Sequence, residues 1–170
     1  MDNPNHIDPW LSDVFREFEL PLMGYATQLL GNPDRASDVV QDTFVRLCRQ
    51  ERSDVQHCVR PWLYRVCRNR ALDVLKKEKR MKTLDEQTAA TEVSREVDPQ
   101  QAAQSRDSSA KAKGLIEQLP ARQQEIIRLK IQGGLSYREI SDLTGLSVSN
   151  VGYLLSTALA SVRTRLAATN

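Results

Sequence analysis

The sequence predicts an all-α protein of two small helical domains joined by a flexible linker, the second of them a helix-turn-helix domain. Three observations carry that expectation. Apolar residues recur at three- and four-residue steps on both sides of a polar stretch, and no segment alternates with period two for long enough to make a strand. Residues 83–108 lose that periodicity altogether. The stretch from Ser136 to Val162 strings together a capping box, a short helix, a glycine turn and a longer helix.

The 170 residues suffice for one medium domain or two small ones, and 40% hydrophobic with 27% charged residues is too apolar for a disordered chain. Val148 to Val162, the longest apolar-looking uncharged stretch, is shorter than the roughly 20 residues of a membrane span. The amino terminus lacks the basic run and apolar core of a secretory signal, so a cytoplasmic protein is expected. Cys48, Cys58 and Cys67 have no CxxC spacing and read as reduced, mostly buried thiols; neither metal nor cofactor is expected.

Trp10, Val14, Phe15, Phe18, Leu22, Tyr25, Ala26, Leu29 and Leu30 predict amphipathic helices interrupted at Pro21, after a short tail over residues 1–9. Gly31-Asn32-Pro33 ends that stretch. Asp34 is a candidate cap for the next helix, with Ala36, Val39, Val40, Phe44 and Leu47 inward and Asp38, Gln41, Asp42 and Arg46 outward. A polar loop follows, and a third helix starts near Pro61. Leu63, Val66, Cys67, Ala71, Val74 and Leu75 form its inner stripe, and its other face carries Arg65, Arg68, Asn69, Lys76, Lys77, Lys79 and Arg80.

The second unit begins with Leu115, Ile116 and Leu119 before Pro120, followed by Ile126, Ile127, Leu129 and Ile131 up to Gly133-Gly134. Ser136 and Glu139 form the capping box of a helix that ends at Gly145. Ser147 caps the last helix, whose core stripe is Val151, Leu155, Ala158 and Val162. At about 100° per residue its opposite face presents Ser149, Tyr153, Ser156 and Ala160, flanked by Asn150 and Thr157. These are hydroxyls, an amide and a ring, without the arginines that usually read guanine.

Charge is segregated along the chain: residues 1–59 hold 5 basic and 10 acidic side chains, 60–82 hold 9 and 2, 83–108 hold 2 and 6, and 109–170 hold 8 and 4. Two basic clusters on a nearly neutral chain point to polyanion contact at two places. With only His6 and His57, no HExxH, no phosphate-gripping glycine loop and no GxSxG elbow, enzymatic hydrolysis is not expected.

Ala36-Ser37-Asp38-Val39-Val40-Gln41-Asp42-Thr43-Phe44, Pro61 to Asp73, Leu119-Pro120 and Ser136-Tyr137-Arg138-Glu139-Ile140 with the motif behind it together resemble the extracytoplasmic-function (ECF) sigma factors of bacterial RNA polymerase. The resemblance implies sigma domain two over residues 10–82, a linker over 83–108 and sigma domain four over 109–168. It implies that Asp38, Gln41 and Asp42 dock on core polymerase at the clamp coiled coil, with the flap as a second contact. Arg65, Arg68, Asn69, Lys76, Lys77 and Arg80, with Arg70 and Lys79 along the backbone, would bind promoter DNA at the minus-ten element, where Asn69 and the loop 50–58 receive an unstacked base. Ser149, Asn150, Tyr153, Ser156 and Thr157 would meet the minus-thirty-five element. Trp62 reads as core rather than as a stacking platform. An anti-sigma protein is a further expected partner. The alternative reading, a stand-alone helix-turn-helix regulator, leaves the Asp38 face and the basic helix without a use.

Overall fold

The computed structural model describes residues 8–85 and 106–168, and the described residues form eight helices and no strand. The expected linker lies mostly outside the described residues, as do residues 1–7 of the tail.

The first helix, α1 (Pro9–Leu30), starts where the Asp8 carboxylate accepts the Trp10 amide at 2.9 Å, and ends at Gly31, whose φ of 65° suits glycine. Contrary to the sequence expectation, Pro21 does not interrupt it. An internal proline costs about 3 kcal/mol. Phe18, Leu22, Tyr25 and Ala26 line one buried stripe through it, and each large side chain returns about 1.5–3 kcal/mol on burial, which outweighs that cost.

In α2 (Pro33–Cys48) the cap is Asn32, which accepts from the amides of Asp34 and Arg35 at 2.9 and 3.1 Å. Asp34, the expected cap, sits instead in the first turn, where its negative charge favours the helix dipole. The expected loop contains one helical turn, α3 (Arg52–Val55), pinned by buried Val55. The long α4 (Val59–Asp85) begins two residues before Pro61, which a first turn tolerates because its amide needs no helical partner, and runs three residues past Lys82.

Helices α1, α2 and α4 pack around Leu22, Ala26, Val40, Leu47, Leu63 and Cys67. Phe15 and Phe44 meet edge to face at 4.7 Å between centroids. Trp62 is half-buried and packs against this core. Of the three thiols only Cys67 is buried. Cys48 ends α2 beyond the Leu47 anchor and Cys58 follows α3, so both are exposed, which corrects the expectation of mostly buried thiols.

The carboxy-terminal unit comprises α5 (Arg106–Glu117), α6 (Ala121–Ile131), α7 (Tyr137–Thr144) and α8 (Val148–Ala168). Arg106 to Ser108, expected in the linker, are helical. Its core is Leu119, Ile126, Leu129, Leu135, Ile140, Val151, Leu155 and Ala158. The capping box at Ser136 and Glu139 forms in both directions, at 2.7 and 3.2 Å. Helices α7 and α8 meet at 107° across a turn built on Gly145 (φ 75°), while the Ser147 hydroxyl accepts the Asn150 amide at 3.2 Å.

Candidate macromolecule-binding surfaces

Helix periodicity sorts the basic residues of α4. Taking Arg65 as the origin, Asn69, Lys76, Lys79 and Arg80 all lie within about 60° of it at 100° per residue, opposite Leu63 and Cys67. All five are exposed, so α4 displays a cationic stripe that carries one amide and is interrupted midway by the half-buried Leu72. Lys77 falls outside it: this exposed lysine borders a groove shared with Arg35, Asp38, Arg70, Glu78 and Met81 on the α2 side.

Arg68 departs further from the sequence expectation. It sits at the edge of the stripe, where Tyr64 begins the buried side, and is covered by the second unit. Its Nε donates to Glu125 Oε1 at 2.8 Å, with the two side chains only 13% and 9% exposed. The Tyr25 hydroxyl donates to the same oxygen at 3.1 Å. Burial alone would lower the Arg68 pKa, yet the hydrogen bond and charge of Glu125 carry it above its ordinary value, so the guanidinium stays charged. Burial, and then the charge of Glu125, raise the Tyr25 hydroxyl well above its own.

Around this pair the units touch at further points. Gln28 Nε2 donates to Gln124 Oε1 at 3.0 Å, and Arg60 Nη1 reaches Gly133 O at 3.5 Å. Sequence reading treats Gly133-Gly134 as a helix stop. Their small size also permits close approach: a Cβ on Gly133 would lie 3.2 Å from Tyr64 Cζ, and one on Gly134 2.3 Å from Arg60 Nη1. Tyr64 packs edge to face on Tyr25, and burial pushes its hydroxyl up to about 12. Neither Glu125 nor Gln124 is legible as an interface residue from sequence, because their partners lie 57 to 100 residues away in the other unit.

On α2, Asp38 and Gln41 are exposed, whereas Asp42 is half-buried between two arginines. Its Oδ2 is 3.0 Å from Arg46 Nε and 2.5 Å from Arg70 Nε. Partial desolvation pushes the carboxyl up, but the Arg46 hydrogen bond and the Arg70 charge together hold it below its ordinary value.

On α8, Ser149, Asn150, Tyr153 and Ser156 are exposed and Thr157 is half-buried. The hydroxyls of Ser156 and Thr157 donate to the Tyr153 carbonyl at 3.2 and 2.8 Å, so toward a ligand they are best placed to accept. Tyr153 is 65% exposed. The described residues contain no cluster of three metal-ligating side chains, and no single helix among them is long and apolar enough to cross a membrane.

Comparison with known proteins matches both units. Residues 14–81 match Sigma-70 region 2 and residues 110–166 match Sigma-70, region 4. The chain is 30% identical over 133 residues to the ECF RNA polymerase sigma factor SigW of Bacillus subtilis, covering 73% of this chain and 71% of that one. It is 25% identical over 141 residues to SigM of the same organism, covering 83% and 80%. Among solved structures, the sigma factor RpoE of Bartonella quintana, in complex with the anti-sigma factor NepR, aligns with a TM-score of 0.64 at 23% identity, covering 91% of this chain and 97% of that one. The two region matches, in this order, and the resemblance to SigW show that the chain belongs to the ECF sigma factors of bacterial RNA polymerase.

Proposed function

We propose that this sigma factor, which binds core RNA polymerase and directs promoter recognition and strand opening, uses opposite faces of its first unit for DNA and polymerase, with the second unit meeting the upstream element. The observation that carries the reading is the exposed stripe of Arg65, Asn69, Lys76, Lys79 and Arg80, which lies on the side of α4 opposite the groove that exposed Asp38 of α2 borders. One face then serves DNA while the other serves the polymerase clamp. In this reading residues 10–82 work as sigma domain two and residues 109–168 as sigma domain four, which also meets the flap.

Strand opening needs no covalent chemistry from the chain. Unstacking a base step costs a few kcal/mol, and contacts made only to the open strand offset it. The cations of the stripe neutralise phosphates, while Asn69, as donor and acceptor, reads a base edge beside the segment 50–58. Asp38, Gln41 and Asp42 supply the clamp contact, with Asp42 held by Arg46 and Arg70. On α8, Tyr153 and its polar neighbours touch the upstream element without a guanidinium. The protein acts in the cytoplasm, and an anti-sigma protein is its expected negative regulator.

The test is run-off transcription with core polymerase on one cognate promoter. Asn69→Ala is expected to lower the yield more than Tyr153→Ala, both variants remaining folded and bound to core. A larger loss from Tyr153→Ala would transfer promoter choice to the ring and hydroxyls of α8.

A further inference from the structure

We propose that the contact between the two units is a latch in which the Glu125 carboxylate occupies Arg68 in place of a DNA phosphate. The free protein is then held closed, its basic surface incomplete until a polyanion displaces Glu125.

Three observations carry this. Arg68 adjoins the exposed stripe yet its side chain is only 13% exposed, and its ion-pair partner comes from α6 of the other unit, with Tyr25 of its own unit beside it. A carboxylate and a phosphate are equivalent partners for a guanidinium, so one oxygen anion can replace the other without rearranging the arginine. The surrounding hydrogen bonds are polar as well: Tyr25 to Glu125, Gln28 to Gln124 and Arg60 to Gly133, with Tyr64 close on Gly133 and Arg60 close on Gly134. Contacts of this polar kind are also available from water, which favours relative domain motion. Arg60 reaches the second unit's backbone while ion-paired at 2.9 Å to Glu17 of its own unit, so that arginine stays partnered when the units part. Glu125 and Arg68 both return to water on opening, whereas removing one of them alone strands the other charge in the closed form.

The DNA half of the proposal rests on the reading of Arg68 as a promoter contact, and the experiment separates the two. Full-length wild type and Glu125→Ala are compared by small-angle scattering and by anisotropy of a fluorescein-labelled forked oligonucleotide, without polymerase. Removing the carboxylate leaves Arg68 buried and unpaired in the closed form, so the variant opens, its radius of gyration rises, and its DNA affinity increases by about tenfold. Adding Arg68→Ala removes that gain. Glu125→Gln, which keeps the side-chain shape, serves the same comparison should the alanine variant lose helicity. An unchanged radius of gyration in a folded Glu125 variant overturns the latch. Opening without any gain in DNA affinity upholds the latch and overturns the DNA role of Arg68.

Discussion

Asp42 shows how one side chain can serve two ends. The carboxylate holds Arg46 on its own helix and Arg70 on α4, so it fixes the α2–α4 register as well as bordering the expected clamp surface. Asp38 has no ion pair among the described residues. Asp38→Lys is therefore expected to weaken core binding with a stability change within about 0.5 kcal/mol. Asp42→Lys loses two partly exposed pairs, each worth about 0.2–1 kcal/mol, and sets a third cation beside two arginines. It should weaken core binding and lower the melting temperature as well. The carboxyl is held below its ordinary pKa, so its stabilisation is present at neutral pH and fades as the pH falls through its folded-state value. Asp42→Asn should thus cost stability near neutrality and little in strong acid. Thermal unfolding at both pH values, together with core-binding titrations, checks all three variants. The outward set of α2 was legible from its helical period. The tie from Asp42 to Arg70, and the burial of Arg68 and Glu125, depend on neighbours that periodicity cannot supply.

At the scale of elements, the helix-turn-helix was the most readable part, because each boundary has its own local chemistry. Ser136 with Glu139, Gly145 and Ser147 each satisfy or terminate backbone groups within a few residues. Helix α1 was misread at Pro21 because a proline reports only the local cost, whereas the buried stripe on either side decides the outcome. The cap at Asn32 rather than Asp34 is a two-residue ambiguity between equally suited side chains. Gly145 offers a clean test of the local argument. A Cβ there would meet nothing within 4 Å, so Gly145→Ala is penalised only by the left-handed backbone. It is expected to destabilise the carboxy-terminal unit by about 1–2 kcal/mol, with Gly145→Asn costing less. Hydrogen exchange of the α7 and α8 amides over a denaturant series, which reads that unit alone, measures both.

For the whole molecule, charge segregation in the sequence translates into separate faces. The formal net charge of +2 hides a stripe that runs along most of α4. Its affinity for DNA should be non-specific and salt-sensitive, and each cation contributes its own released counterion. Arg80→Ala is expected to reduce the slope of log affinity against log salt by about 0.7–0.9 while leaving sequence preference unchanged. Equilibrium binding over a salt series decides it, and an unchanged slope removes Arg80 from the DNA path. The two-unit layout followed from the loss of periodicity after residue 83. How the units face one another did not, since a few polar side chains and two glycines make that contact.

The unbroken length of α4 has a metric consequence. From Arg65 to Arg80 the axial rise is about 22 Å, and from Asn69 to Lys76 about 10 Å. Phosphates of one duplex strand are spaced about 3.4 Å along the axis, so the stripe spans about six of them. Because no proline or glycine interrupts the helix between these residues, that spacing is rigid. If Asn69 receives the opened base as proposed, the helix acts as a ruler: the distance from that base to the grip on the flanking backbone is set by the pitch of one α-helix, and a promoter read in this way must fit that fixed interval.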